Sequence, residues 1–84
     1  MQKSFTKVLD PDRMRFEFPD LFASYLRANF RNPEAVSDAF GVRFQTACNW
    51  WNATHRASGD KVALAASRDP QGFADAMQAM RKAA

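Results

Sequence analysis

An all-α fold, a compact bundle of about five short helices, is predicted by three features of this sequence. Apolar residues recur at spacings of three and four, Asn32-Pro33 and Asp69-Pro70 each pair a capping side chain with a proline, and Gly41 separates two helical patterns. With 84 residues, one domain is the natural unit. It divides into a leading segment, 1–18, and a helical body, 19–84.

The leading segment is patterned differently from the rest. Residues 1–12 are polar and mixed and end in Asp10-Pro11-Asp12, a turn signature. Arg13-Met14-Arg15-Phe16-Glu17-Phe18 then alternates polar and apolar, the period of a short strand or extended arm. From Pro19 the spacing becomes helical. Leu21, Phe22, Tyr25, Leu26 and Phe30 share a face, which predicts a first helix over 19–30. Asn32 caps a second helix, and Pro33 suits its first position, where a missing N–H needs no partner. Glu34 then sits near the positive end of the helix dipole. Val36, Ala39 and Phe40 form the inner face, and Gly41 ends the helix with a positive φ. A third helix runs from Arg43 or Phe44 to Asn52 with Ala47 and Trp50 inward, followed by a polar connection over 53–59. Ser58 can cap a fourth over 59–67, with Asp60 in its first turn and Val62, Ala65 and Ala66 inward. Asp69-Pro70 opens a fifth over 70–82, where Phe73, Met77 and Met80 share a face.

Composition narrows the function classes. Hydrophobic residues make up 46% of the chain, and eight Phe and two Trp supply core material without disulfides or metal. Cys48 is the only cysteine, so no intrachain disulfide can form and a reducing, cytoplasmic setting is expected. No apolar run approaches the roughly 20 residues of a membrane span. No long apolar region follows Met1-Gln2-Lys3-Ser4-Phe5, so no signal peptide is expected. A glycine-rich phosphate loop, a metal-ligand cluster and a nucleophile–histidine–acid frame are all missing, so neither enzyme activity nor a cofactor or metal is expected. The net charge of +3 suits a polyanionic partner. Eight of the twelve basic residues are Arg, the better residue for bidentate phosphate or guanine contacts.

The informative stretch lies between Pro33 and Trp51: a short helix, a sharp turn at Gly41-Val42 and a second short helix, the second free to enter a groove. Ser37 is small enough for a helix crossing. Val36, Phe40, Val42, Ala47 and Trp50 are its apolar anchors. At about 100° per residue, Ala47 and Trp50 define the inward side of the third helix, and Gln45, Asn49 and Asn52 cluster opposite, with no Asp or Glu among them. Amides can bond adenine N6 and N7 together. The run Gly41-Val42-Arg43-Phe44-Gln45-Thr46-Ala47-Cys48-Asn49-Trp50 resembles the helix-turn-helix of phage-repressor and Cro-like regulators. The match is strict over about 20 residues and looser over 19–82. Two positions depart from the family pattern: Ser37 replaces the more usual Ala, and Phe44 stands where a polar base-reading residue is more often found.

The resemblance implies a sequence-specific, double-stranded-DNA-binding transcriptional regulator of phage or prophage type, acting as a homodimer with 43–52 in the major groove. The candidate base-reading residues are Arg43, Phe44, Gln45, Cys48 and Asn49, where Phe44 either touches a thymine methyl or seals the core edge. Cys48 is a flank thiol with no catalytic partner in view. The candidate phosphate-binding residues are Arg31, Thr46, Asn52, His55 and Arg56. Trp51 is assigned to packing in preference to a backbone contact, and Arg27 and Lys61 to the solvated surface. Two other classes stay open. A helical protein adaptor would expose an apolar patch of Phe44, Trp51 and the Phe16–Phe18 strand. A recombination-accessory or architectural protein would bend DNA. No membrane contact, small-molecule ligand or effector domain is expected.

Overall fold

The computed structural model describes residues 10–78. They form five helices: α1 (Pro11–Asn29), α2 (Pro33–Phe40), α3 (Phe44–Trp51), α4 (Gly59–Arg68) and α5 (Pro70–Met77). No strand occurs among the described residues. Helix α1 is the spine: α3 packs against one part of it and α5 against another, while α2 packs on α3 and α4 on α5.

The expected arm or strand over 13–18 is instead the start of α1. The Asp10 side chain accepts the Asp12 N–H at 3.0 Å and the Arg13 N–H at 3.4 Å, and Pro11 takes the first helical position. Asp10-Pro11 is therefore the same start signal as Asn32-Pro33 and Asp69-Pro70, not a turn. Helical geometry then pairs residues four apart. Arg13 meets Glu17 at 2.8 Å, and the Phe18 ring stacks on Phe22 with centroids 5.4 Å apart. Pro19 lies inside the helix and gives no N–H to the Arg15 carbonyl, but Arg15 is exposed, so water can reach that oxygen.

The other boundaries follow the sequence closely. Asn32 caps α2 by accepting the Ala35 N–H at 2.9 Å, and Asp69 caps α5 by accepting the Gly72 N–H at 3.1 Å. Ser58 holds the cap position of α4, but its hydroxyl donates to Asp60 Oδ1 at 2.5 Å and caps no backbone N–H. The predicted end of the last helix, including Met80, lies outside the described residues, as does the polar stretch 1–9.

Phe22 is the centre of the core. It stacks near Tyr25 and meets Phe40 and Trp50 edge-on, at 6.3 and 5.7 Å. Phe40 and Trp50 also meet edge-on, at 5.7 Å, so one aromatic cluster ties α1, α2 and α3 together. Edge-on contacts set the positive ring edge against a negative ring face and add about 0.5–1.5 kcal/mol each beyond burial. Leu26, Val36, Ala47 and Ala65 complete the buried core. At the far end, Phe73 packs edge-on against Tyr25 at 5.6 Å, and the Tyr25 hydroxyl donates to Asp69 Oδ2 at 3.2 Å. No described side-chain polar atom is buried without a partner.

Candidate nucleic-acid interface

The turn between α2 and α3 is built from three residues. Gly41 adopts φ 64°, ψ 40°, the left-handed region that a Cβ disfavours. This lets the Gly41 and Val42 N–H groups converge on the Ser37 carbonyl, Val42 at 3.2 Å. The Ser37 hydroxyl donates in turn to the Val42 carbonyl at 2.6 Å. This side-chain bond closes the turn a second time.

Helix α3 then presents two unlike sides. Ala47 and Trp50 are buried against α1 and α2, and Trp51 packs partly buried beside them, as expected. Phe44, Gln45 and Asn52 are exposed; Thr46 and Cys48 are half-buried on the flanks, and Asn49, on the outer side one turn from Gln45, is half-buried as well. Gln45 Nε2 donates to Asn49 Oδ1 at 3.1 Å across one turn. Arg43 occupies the cap position in extended conformation. No side chain bonds the first-turn N–H groups, and no acid lies in that turn. The positive end of the α3 dipole is therefore left uncompensated.

The far end of α3 is fixed by contacts that local sequence patterns do not reveal. Arg27, assigned above to the solvated surface, reaches from α1 and donates to the Trp51 carbonyl at 2.6 Å. That carbonyl is among the last four of α3, which have no partner within the helix, and a cation there also suits the negative dipole end. Ala53 follows with φ 60°, the only positive φ on a non-glycine residue among those described. It directs the chain so that the Thr54 N–H and hydroxyl both donate to the Asn49 carbonyl, at 2.9 and 3.1 Å. His55 and Arg56 stand exposed just beyond, with His55 Nδ1 3.2 Å from the Thr54 hydroxyl oxygen.

Charge is distributed unevenly around this unit. Residues 39–59 contain no Asp or Glu but include Arg43, His55 and Arg56. The side chains of Arg31, Arg43 and Arg56 form no ion pair or hydrogen bond within the described residues, whereas the observed ion pairs join near neighbours elsewhere: Arg13–Glu17, Arg15–Asp12 and Lys61–Asp60. Asp60 bounds the acid-free stretch, and the Ser58 hydroxyl holds its carboxyl below the usual carboxylate range, so it stays charged.

Of the ten candidate residues, Arg43, Phe44, Gln45, Thr46, Cys48, Asn49 and Asn52 lie on or at the ends of α3. His55 and Arg56 follow its exit turn. Arg31 precedes α2 and is separated from the glycine turn by that helix, about 12 Å at 1.5 Å per residue. Among the described residues no group of three or more His, Cys, Asp or Glu could hold a metal ion, and no helix is long and apolar enough to cross a membrane. A groove of about 340 Å³ between α1 and α5, lined by Ser24, Tyr25, Gly72 and Ala76 among others, shares no residue with the α3 surface.

The fold and this unit define a class: an all-helical domain in which two eight-residue helices meet at a glycine turn and the second turns amides outward. Comparison with protein-family models, curated proteins and solved structures finds no match for the chain.

Proposed function

We propose that the protein is a sequence-specific double-stranded-DNA-binding regulator of phage-repressor type, with α3 lying in the major groove. One observation carries this reading: the outer side of α3 bears Gln45, Asn49 and Asn52 with no carboxylate, on a stretch whose two arginines, Arg43 and Arg56, make no side-chain bond within the described residues. An amide face can read base edges without repelling phosphate, and uncommitted arginines can replace condensed counterions. Arg43 and the open end of α3 would meet phosphate or a flanking guanine. Thr46, Asn52, His55, Arg56 and Arg31 would set the register on the backbone. One module of this size covers only a short half-site, so two copies would bind half-sites about 34 Å apart on one face of the duplex. Such a protein would reside on the nucleoid.

The adaptor alternative needs a continuous apolar patch. Phe16 is 82% exposed and Phe44 55%, but Phe18 and Trp51 pack against the core, and the two exposed rings belong to different helices. That division favours the nucleic-acid reading.

A gel-shift titration at two salt concentrations tests it. Gln45→Ala and Asn49→Ala should each weaken binding to a preferred sequence by about 1–3 kcal/mol and relax base preference. Arg56→Ala should weaken all sequences alike and reduce the salt slope by about one, and Arg43→Ala should do the same where Arg43 meets phosphate but relax preference at one G·C pair where it meets guanine. Equal affinity for every duplex in all four variants and the parent would remove base reading.

A further inference from the structure

The geometry points to a specific target for the α3 surface: an adenine beside a thymine, with the adenine read by Gln45 and Asn49 acting as one unit and the thymine methyl met by Phe44. The inference rests on the DNA reading above and names what that reading leaves open.

The argument begins with the bond from Gln45 Nε2 to Asn49 Oδ1 at 3.1 Å. It uses one amide hydrogen of Gln45 and one lone pair of the Asn49 oxygen. Neither side chain makes another hydrogen bond within the described residues. The Gln45 carbonyl is thus left as an acceptor and the Asn49 amide as a donor. Two amides tied across a helical turn also lose less side-chain freedom on binding than two separate ones.

The four bases answer this pattern differently. Adenine offers a donor at N6 beside an acceptor at N7, the complement of an acceptor beside a donor. Guanine offers two acceptors, O6 and N7, which can take the spare Gln45 N–H and the Asn49 N–H but leave the Gln45 carbonyl without a donor, whereas adenine answers both the acceptor and the donor. Cytosine offers the N4 donor without the neighbouring acceptor. Thymine offers one acceptor and the methyl group. No Arg or Lys occurs between Phe44 and Trp51, so the body of α3 carries no cationic guanine reader. If the two amide groups exchange orientation, the roles of Gln45 and Asn49 reverse, but one acceptor and one donor still remain.

Phe44 supplies the second element. It is the first residue of α3, is 55% exposed and takes part in no aromatic pair among the described residues. A large apolar ring beside an amide pair is costly to leave in water, and the only methyl on the major-groove edge of unmodified DNA belongs to thymine.

The test starts with selection of bound duplexes from a pool randomised at the centre. Base analogues are then placed in the enriched duplex. Enrichment of an adenine-thymine step is expected. Replacing that adenine with 7-deazaadenine, which lacks the N7 acceptor, should lower affinity roughly ten-fold. The analogue should have no further effect on Gln45→Ala or Asn49→Ala, and the double variant should bind no more weakly than either single one. Replacing the thymine with uracil should weaken the parent several-fold and leave Phe44→Ala unchanged. All three side chains lie outside the buried core, and circular dichroism verifies that the variants fold. Enrichment of a G·C core, indifference to 7-deazaadenine, additive effects of the two amide substitutions, or indifference to uracil would each overturn this assignment while leaving DNA binding intact. A pool that shows no enrichment over its starting sequence would remove the DNA reading itself.

Discussion

Tyr25, the only tyrosine, joins the spine helix to the cap of α5 through a single hydroxyl. Burial, the nearby Asp69 carboxylate and the hydrogen bond to it all push its ionisation above the usual tyrosine range, against a smaller opposing effect of Arg68. The folded state therefore holds the proton more tightly than the unfolded chain. The resulting stabilisation is complete below the ordinary tyrosine value of about 10 and is lost as pH rises from there through the folded-state value. Thermal unfolding followed against pH should show a declining midpoint above about pH 10 in the parent. In Tyr25→Phe that dependence should be much reduced, although removing the hydrogen bond lowers neutral-pH stability by about 1 kcal/mol. Equal alkaline loss in both proteins would exclude Tyr25 as its source.

At the scale of elements, α3 is a short helix held at both ends. Eight residues cannot stay helical alone in water, so the ends and the packing must hold it. The entry is a glycine turn with φ 64°, where the backbone is at ease. The exit is a left-handed Ala53, which carries about 1–2 kcal/mol of steric strain. Arg27 and the Thr54 bonds to the Asn49 carbonyl hold that strained exit in place. Glycine relieves the strain but makes the unfolded chain freer by about 0.5–1 kcal/mol. Ala53→Gly should therefore raise stability by about 0.5–1 kcal/mol, or a few degrees in Tm for a domain of this size. A differential scanning measurement checks this, and a lower Tm would show that the exit is not under strain.

At the scale of the whole molecule, most of the architecture was legible in the sequence because two of the short helices advertise their starts and a glycine marks the turn between α2 and α3. Asn32-Pro33 and Asp69-Pro70 mark α2 and α5, and Gly41 marks the end of α2. The start of α1 was misread for a local reason. Arg13 to Phe18 alternates like a strand, and Pro19 looks like a boundary, whereas a helix accepts both by pairing Arg13 with Glu17 and leaving Phe16 in solvent. The amide face of α3 was visible because helical phase follows from spacing alone. Arg27 was not, because its partner lies 24 residues away and is a backbone oxygen, which leaves no mark in composition or period. Ala53 was not, because an alanine carries no sign of a left-handed backbone. Both omissions concern how α3 is held, and neither changes which side chains it turns outward.

Chemical-shift mapping of the backbone amides during titration with a selected duplex measures the placement of α3 most directly. Binding through this helix predicts the largest changes over 43–56, smaller ones near Arg31, and little change along the buried face of α1. Largest changes along α4 or α5, with Gln45 and Asn49 unmoved while DNA is bound, would contradict it.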